Sequence, residues 1–241
     1  MNKLRRYARQ IILPEIGSEG QSRLFSAKVV VVGAGGLGSP VLYSLASAGV
    51  GHIKIIDLDI VDITNLNRQF IHFENDIGRE KSQSAKDKLE QYNHDIQIDA
   101  ITVMLDEKNT HELLTGYDAV MSCVDNKKTR YLLNNTCIKN NIFFIDGGIQ
   151  GFDGYLLTVL PNVTSCYECI FPQKEQVQES GGGVLGVATG VIGSMMAMEA
   201  IKYIAGIPIT SYFNYVDLLS WRITPINVEK NFDCPVCGAK I

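Results

Sequence analysis

A β-branched run, Lys28–Val32, leads straight into Gly33-Ala34-Gly35-Gly36-Leu37-Gly38, and a helix-forming stretch over residues 40–48 follows, closed by Gly49. A short apolar run of this kind reads as a buried strand. The glycines fit G-x-G-x-x-G, a spacing that permits a tight turn and lets backbone approach a phosphate. A strand, a glycine loop and a helix in that order present free N–H groups and the positive end of a helix dipole. Asp57 closes the next apolar run, residues 53–56, where an acidic side chain reaches ribose hydroxyls. Together these features predict an adenine-nucleotide site. The alternative is a strand-to-helix turn whose glycines serve packing only.

The rhythm set by this unit continues. A helix is predicted over Lys81–Tyr92, an extended run over 96–103, a strand over 119–123, a helix over 127–139 and a strand over 142–145. Alternation of this kind implies parallel strands with crossover helices, a Rossmann-like doubly wound α/β sheet. After Asp146 the pattern changes. Residues 150–160 and 211–223 read as strands, separated by one strong helix over 187–205, so the sheet is expected to be extended by antiparallel strands. Residues 171–186 include Gly181-Gly182-Gly183 and are expected to form a mobile crossover loop. The 241 residues are expected to form one domain, 1–241, with no length left for a separate catalytic-cysteine, carrier or sulfurtransferase domain.

Charge excludes some partners. Twenty-two basic against 26 acidic residues give a net charge of -4, which argues against a general nucleic-acid or anionic-membrane binder. The N-terminal apolar run covers only residues 11–13, whereas a signal peptide needs about 7–15. Residues 181–198 are uncharged but carry several glycines, and Glu199 and Lys202 follow, so they read as a buried helix after a loop. A cytoplasmic location is expected.

The glycine loop alone does not choose between NAD and ATP. Asp57-Leu58-Asp59 leads into Asn65-Leu66-Asn67-Arg68-Gln69 and then Lys81. A triphosphate needs cations to neutralise it, and a nicotinamide cofactor does not need this set. Arg68 can grip phosphate bidentately and Lys81 can act as a point charge at a helix start. Taken singly, both could be ordinary surface charge. Asp125-Asn126 follows the strand ending at 123, at the strand end that lines the ligand crevice of such a sheet. Asp125 is a candidate Mg²⁺ ligand, or else it caps the helix from Lys127.

Cys166 and Cys169 form one C-x-x-C, and Cys234 and Cys237 form another. Four thiolates complete a tetrahedral Zn²⁺ site with no open position, so zinc here would be structural. A redox role is the alternative, but neither pair has a thioredoxin-like context. Cys123 and Cys137 fall in a buried strand and on a helix and read as packing residues. His52, His72, His94 and His111 match no ligand spacing, and His72 is expected only to pack near the Arg68 segment.

In this order the glycine loop, Asp57-Leu58-Asp59, Asn65-Leu66-Asn67-Arg68-Gln69, Lys81, Asp125-Asn126 and the two C-x-x-C pairs resemble the ThiF/MoeB/HesA family, bacterial relatives of ubiquitin-activating enzymes. The likeness runs from Arg6-Tyr7-Ala8-Arg9-Gln10 through Cys237. It implies ATP-dependent adenylation of the C-terminal Gly-Gly carboxylate of a small ubiquitin-fold sulfur-carrier protein, of the thiamine or molybdopterin biosynthesis type. It implies that Gly33, Gly35, Gly36 and Gly38 lie against the nucleotide, that Asp57 holds the ribose and that Asp59 belongs to the same cofactor-binding set. Asn65, Arg68 and Lys81 would meet the phosphates, Asp125 would hold Mg²⁺, and Asn126 would belong to the cofactor-binding set. Arg9, on residue type alone a surface arginine, becomes an arginine finger supplied across a homodimer. The stretch from Gln176 to Gly183 lacks the cysteine that some members use for covalent linkage, and Ser180 is a far weaker nucleophile. Adenylation without a durable enzyme thioester is therefore expected, with sulfur arriving from a separate persulfide donor. The competing classes are an NAD-dependent oxidoreductase and a non-catalytic zinc-stabilised binding module for a ubiquitin-fold partner.

Overall fold

The computed structural model describes residues 3–173, 182–209 and 212–238. Eight strands form one sheet in the order β3-β2-β1-β4-β5-β6-β7-β8. They are β1 (Lys28–Val32), β2 (His52–Ile56), β3 (Gln97–Ile101), β4 (Ala119–Ser122), β5 (Phe143–Gln150), β6 (Asp153–Val159), β7 (Phe213–Asp217) and β8 (Arg222–Pro225). The pairings from β3 through β5 are parallel, and those from β5 to β8 are antiparallel. This is the mixed sheet expected from the sequence.

The helices are α1 (Ala8–Ile11), α2 (Gly17–Ser26), α3 (Gly38–Ala48), α4 (Lys81–Tyr92), α5 (Thr110–Leu114), α6 (Lys127–Asn140), α7 (Tyr167–Ile170) and α8 (Gly186–Ala205). Alternate residues of β1 serve opposite faces of the sheet, as strand pleating requires. Val29 and Val31 pack with α3, α4 and α8 on one face, and Val30 and Val32 pack with α6 and the cysteine cluster on the other. All four are nearly or fully buried, and each such side chain contributes roughly 1.5–3 kcal/mol. Helix α3 stops where Gly49 takes the left-handed conformation at φ 82°, a backbone region that glycine enters without steric cost.

Two expectations need correction. Residues 150–160 are not one strand: β5 runs on through Gln150, and Gly151 turns the chain at φ 60° into β6. Residues 211–223 are likewise two strands, β7 and β8, joined by a turn that ends at Trp221 with φ 55°. Most of the loop expected over 171–186 falls on residues 174–181, which lie outside the described residues. Of its flanks, Val184 bridges to Gly151 at the β5–β6 turn. Helix α8 is long and apolar enough by composition alone to cross a membrane. Here its buried face packs in the core with α3 and β5.

Candidate active site

The strand order reverses between β1 and β4, and a cavity of about 1010 Å³ opens there beyond the carboxyl ends of β1, β2 and β4. Crevices at this point of an open α/β sheet are where ligands bind. Gly33, Gly35, Gly36, Asp57, Asp59, Arg68, Lys81, Asp125 and Asn126 all line it. Residues from five separate sequence segments are thus brought together.

The glycine loop is backbone packed on backbone. A Cβ on Gly33 would lie 2.6 Å from the Cys123 carbonyl oxygen, and one on Gly38 would lie 2.0 Å from the Gly33 carbonyl oxygen. Gly38 is buried under the loop and does not line the cavity. Gly36 faces Thr189 of α8, 3.1 Å from where its Cβ would stand. Leu37 supplies no side-chain cap to α3; the Ser39 N–H bonds the Gly35 carbonyl at 2.9 Å and the Val41 N–H the Leu37 carbonyl at 3.3 Å, so the loop itself closes the first turn of the helix beside the cavity.

Asp57 braces this loop. One carboxylate oxygen accepts the Ala34 N–H at 2.7 Å and the other accepts the Asp59 N–H at 2.8 Å. Burial pushes its carboxyl above the usual carboxylate range, against the pull of those two donors and of Lys81. Each oxygen keeps a second lone pair for a ligand hydroxyl.

Lys81 is buried and points its ammonium at Asp59, Nζ to Oδ2 2.9 Å, with 7% of its side chain exposed against 67% for Asp59. Backbone bonds from Val61 to Arg79, from Gly78 to Val61 and from Lys81 to Asp59 clasp the two segments together. Asp59 therefore orients Lys81. Arg68 donates through Nη1 to the Thr64 carbonyl and to Asn67 Oδ1. Asn65 does not line the cavity; its Oδ1 accepts the Asp62 N–H at 3.2 Å inside a capping box.

On the opposite wall Asn126 caps α6, its Oδ1 accepting the Thr129 N–H at 2.9 Å. The cap is therefore Asn126, not Asp125. Asp125 is exposed and makes no hydrogen bond or ion pair to the described residues. Arg9 lies elsewhere. Its neighbour Gln10 donates to the Ala48 carbonyl, at the far end of α3 from the glycine loop, a distance of about 16 Å for eleven helical residues.

His72 does more than pack. It is 3% exposed, and its Nε2 lies 2.9 Å from the Ala34 carbonyl while Nδ1 lies 2.9 Å from Ser84 Oγ. A carbonyl only accepts, so Nε2 carries the proton and Nδ1 accepts from the hydroxyl. Burial lowers the His72 pKa to about 4, with Lys81 and Lys88 adding to the effect against the Ala34 carbonyl. The imidazole is neutral when folded and protonates more readily when unfolded, so its contribution is complete above about pH 6.5 and is lost toward pH 4. That gap corresponds to roughly 3 kcal/mol. The stability advantage of the wild type over His72→Gln should shrink by about that amount between pH 7 and pH 4. Denaturant unfolding at both values measures it, and a pH-independent difference would contradict a neutral buried His72. Comparison with the variant is needed because buried Asp146, its pKa raised to about 6, pulls the other way.

Sequence reasoning missed His72, Gln69 and Thr189 as parts of the site. Gln69 is 6% exposed, and its Nε2 would lie 3.4 Å from a Cβ on Gly35. Its place beside Arg68 was the available signal. Cys123 and Cys137 are buried, and burial raises both thiols, which fits packing residues.

The four other cysteines converge on the face away from α3. Cys166 Sγ lies 3.9 Å from Cys169 Sγ and 3.8 Å from Cys234 Sγ, and Cys169 Sγ lies 3.4 Å from Cys237 Sγ. All four sulfurs fall within 4.8 Å of one another. Tetrahedral Zn–S bonds of about 2.3 Å require sulfur pairs about 3.8 Å apart. The cluster fits a zinc ion. Gly238 closes the second knuckle, because a Cβ there would lie 2.5 Å from the Cys234 carbonyl oxygen.

Comparison with known proteins agrees with this geometry. Residues 7–236 match the ThiF family. The chain is 38% identical to the SAMP-activating enzyme E1 of Haloferax volcanii, covering 98% of this chain and 89% of that protein. It is 39% identical to the sulfur carrier protein adenylyltransferase of Thermus thermophilus, covering 98% and 91%. The crystal structure of E. coli MccB with ATP superposes with a TM-score of 0.86 at 25% identity, covering 97% of this chain and 75% of that one. Fold, site and relatives define an enzyme of the adenylyltransferase class. Within that class, the chain belongs to the ThiF family.

Proposed function

We propose that this protein uses ATP to adenylate the C-terminal Gly-Gly carboxylate of a small ubiquitin-fold sulfur-carrier protein, of the thiamine or molybdopterin type. The observation that carries the reading is the cavity itself. A glycine loop at a helix N-terminus faces two cations, Arg68 and Lys81, while Asp125, bonded to none of the described residues, stands on the opposite wall. The carrier carboxylate attacks the α-phosphate, the bond to the bridging oxygen breaks, and pyrophosphate leaves with its electron pair. Positioning and charge neutralisation supply most of the catalysis in such transfers.

The glycine loop holds the phosphates through backbone N–H groups, with the positive end of the α3 dipole behind it. Asp57 offers its remaining lone pairs to the ribose. Lys81 turns from Asp59 toward the phosphates, and Arg68 leaves the Thr64 carbonyl for them. Asn65 supports this turn rather than the ligand, since it does not line the cavity. Asp125 would hold Mg²⁺, with Asn126 fixing the turn; the ion supplies charge neutralisation at the phosphates. Arg9 would serve a second copy of the chain, because it does not line its own cavity and its neighbour Gln10 sits at the far end of α3. The homodimer, a separate sulfur donor and a cytoplasmic setting belong to the same proposal, as does zinc at Cys166, Cys169, Cys234 and Cys237.

An NAD-dependent oxidoreductase would leave Lys81 and Asp125 without a ligand-directed role. Calorimetric titration separates the two readings. ATP with Mg²⁺ is expected to bind and NADH is not; tight NADH binding without ATP binding would overturn the proposal.

A further inference from the structure

One buried cluster beside the site has no part in the steps above. Arg130 of α6 is 8% exposed, and its guanidinium makes three contacts. Nη1 donates to Asp146 Oδ2 at 3.0 Å and meets the Tyr155 hydroxyl. Nη2 donates to the carbonyl of Val124 at 2.7 Å. Tyr155 in turn donates to Asp146 Oδ2 at 2.7 Å. Asp146 is fully buried on β5 and faces Ser122 of β4 in register. Tyr155 sits on β6 and packs where a side chain at Gly148 would otherwise stand.

The third contact matters most. Val124 and Asn126 flank Asp125, and each is tethered: the Val124 carbonyl by Arg130, the Asn126 side chain by the Thr129 N–H. Among the described residues Asp125 has no tether of its own. Its direction is therefore set by its neighbours. Asn126, Arg130 and Asn134 recur every fourth residue and so share one face of α6. Asn134 accepts the Tyr167 N–H at 2.9 Å, next to Cys166. One polar stripe on α6 thus joins the Asp125 turn, the β5–β6 hairpin and the first cysteine knuckle.

Resting on the adenylation reading, we propose that Arg130 is a positioning residue: its guanidinium ties the turn that carries Asp125 to β5 and β6 and fixes where the Asp125 carboxylate points. An arginine suits this task because its planar fork serves several acceptors at once, which lysine cannot do. The charge also has reason to stay: leaving Asp146 buried without its cation would be costly.

The test uses the full chain and three variants, Arg130→Gln, Arg130→Lys and Tyr155→Phe. Residue-resolved hydrogen exchange is the first readout. Amides 124–126 of Arg130→Gln should exchange at least about tenfold faster than in the wild type, with amides of β1 and α3 unchanged. Arg130→Lys should behave similarly, because the fork is lost although the charge remains. If Arg130→Gln does not fold, Tyr155→Phe removes one anchor only and should loosen the same turn by a smaller factor. The second readout is Mg²⁺. The concentration giving half-maximal ATP–pyrophosphate exchange should rise about tenfold or more, with KM for the carrier unchanged. Unchanged exchange at 124–126 would overturn the proposal, and so would faster exchange throughout the chain, which marks a merely structural residue. Failure of the wild type to turn over any carrier would overturn the adenylation reading alone, since hydrogen exchange still reports on Arg130.

Discussion

Asp125→Ala is expected to lower carrier-dependent ATP–pyrophosphate exchange by on the order of 10²–10³-fold while the protein stays folded. The separation of these two effects follows from where Asp125 sits. It lines the cavity, it is exposed, and it bonds to none of the described residues. Surface substitutions of that kind usually move stability by no more than about 0.5 kcal/mol, which is a melting shift of about 2 °C at most for a chain of this size. The helix cap survives because Asn126 makes it. Exchange kinetics and a melting curve on the same preparation check the pair. Retained exchange would remove Asp125 from the site, and a large melting shift would mean that its carboxylate serves the fold.

Cys234→Ser tests the other half of the molecule and should act in the opposite sense, on stability first. The wild type is expected to carry one zinc ion per chain and the variant almost none, because a serine hydroxyl is a poor substitute for a thiolate in a four-sulfur shell. The second knuckle lies close to the end of the described chain, and a metal would join it to the first knuckle beside α6. Loss of such a staple falls among the large single-residue effects, roughly 3–5 kcal/mol, or about 10 °C in Tm. Metal analysis and calorimetry measure both. Unchanged metal content would rule out the cluster as a zinc site. A closed shell of four sulfurs leaves no position for substrate, so residual folded variant should still adenylate.

The parallel half of the fold was legible because its signals are local. Lys28–Val32 and Lys81–Tyr92 carry their own periodicity and end at glycine or polar breaks. The two C-terminal hairpins were not. The single glycine at the first turn, Gly151, is one of several along β5 and β6, and the turn at Trp221 takes a positive φ without a glycine to announce it. Helix α2, Gly17–Ser26, was missed for a similar reason. Two glycines and three serines give it weak intrinsic propensity, and it holds because Leu24 packs into the core and Gly20 meets Ala205 of α8.

The candidate site divides the same way. Residue types and spacing pointed to Asp57, Arg68, Lys81 and Asp125, and all four line one cavity. Their connections were invisible, since they are tertiary. The grip of Asp59 on Lys81 spans 22 residues, and the hold of His72 on the Ala34 carbonyl spans 38. Arg130 looked like any helix arginine until the sheet placed Asp146 and Tyr155 against it.

The most direct test is ATP–pyrophosphate exchange by the wild-type protein with a panel of small ubiquitin-fold carriers ending in Gly-Gly. Exchange that depends on one carrier, and disappears when its terminal glycine is removed, is the predicted result. A folded, zinc-loaded protein that shows no exchange with any carrier would contradict it.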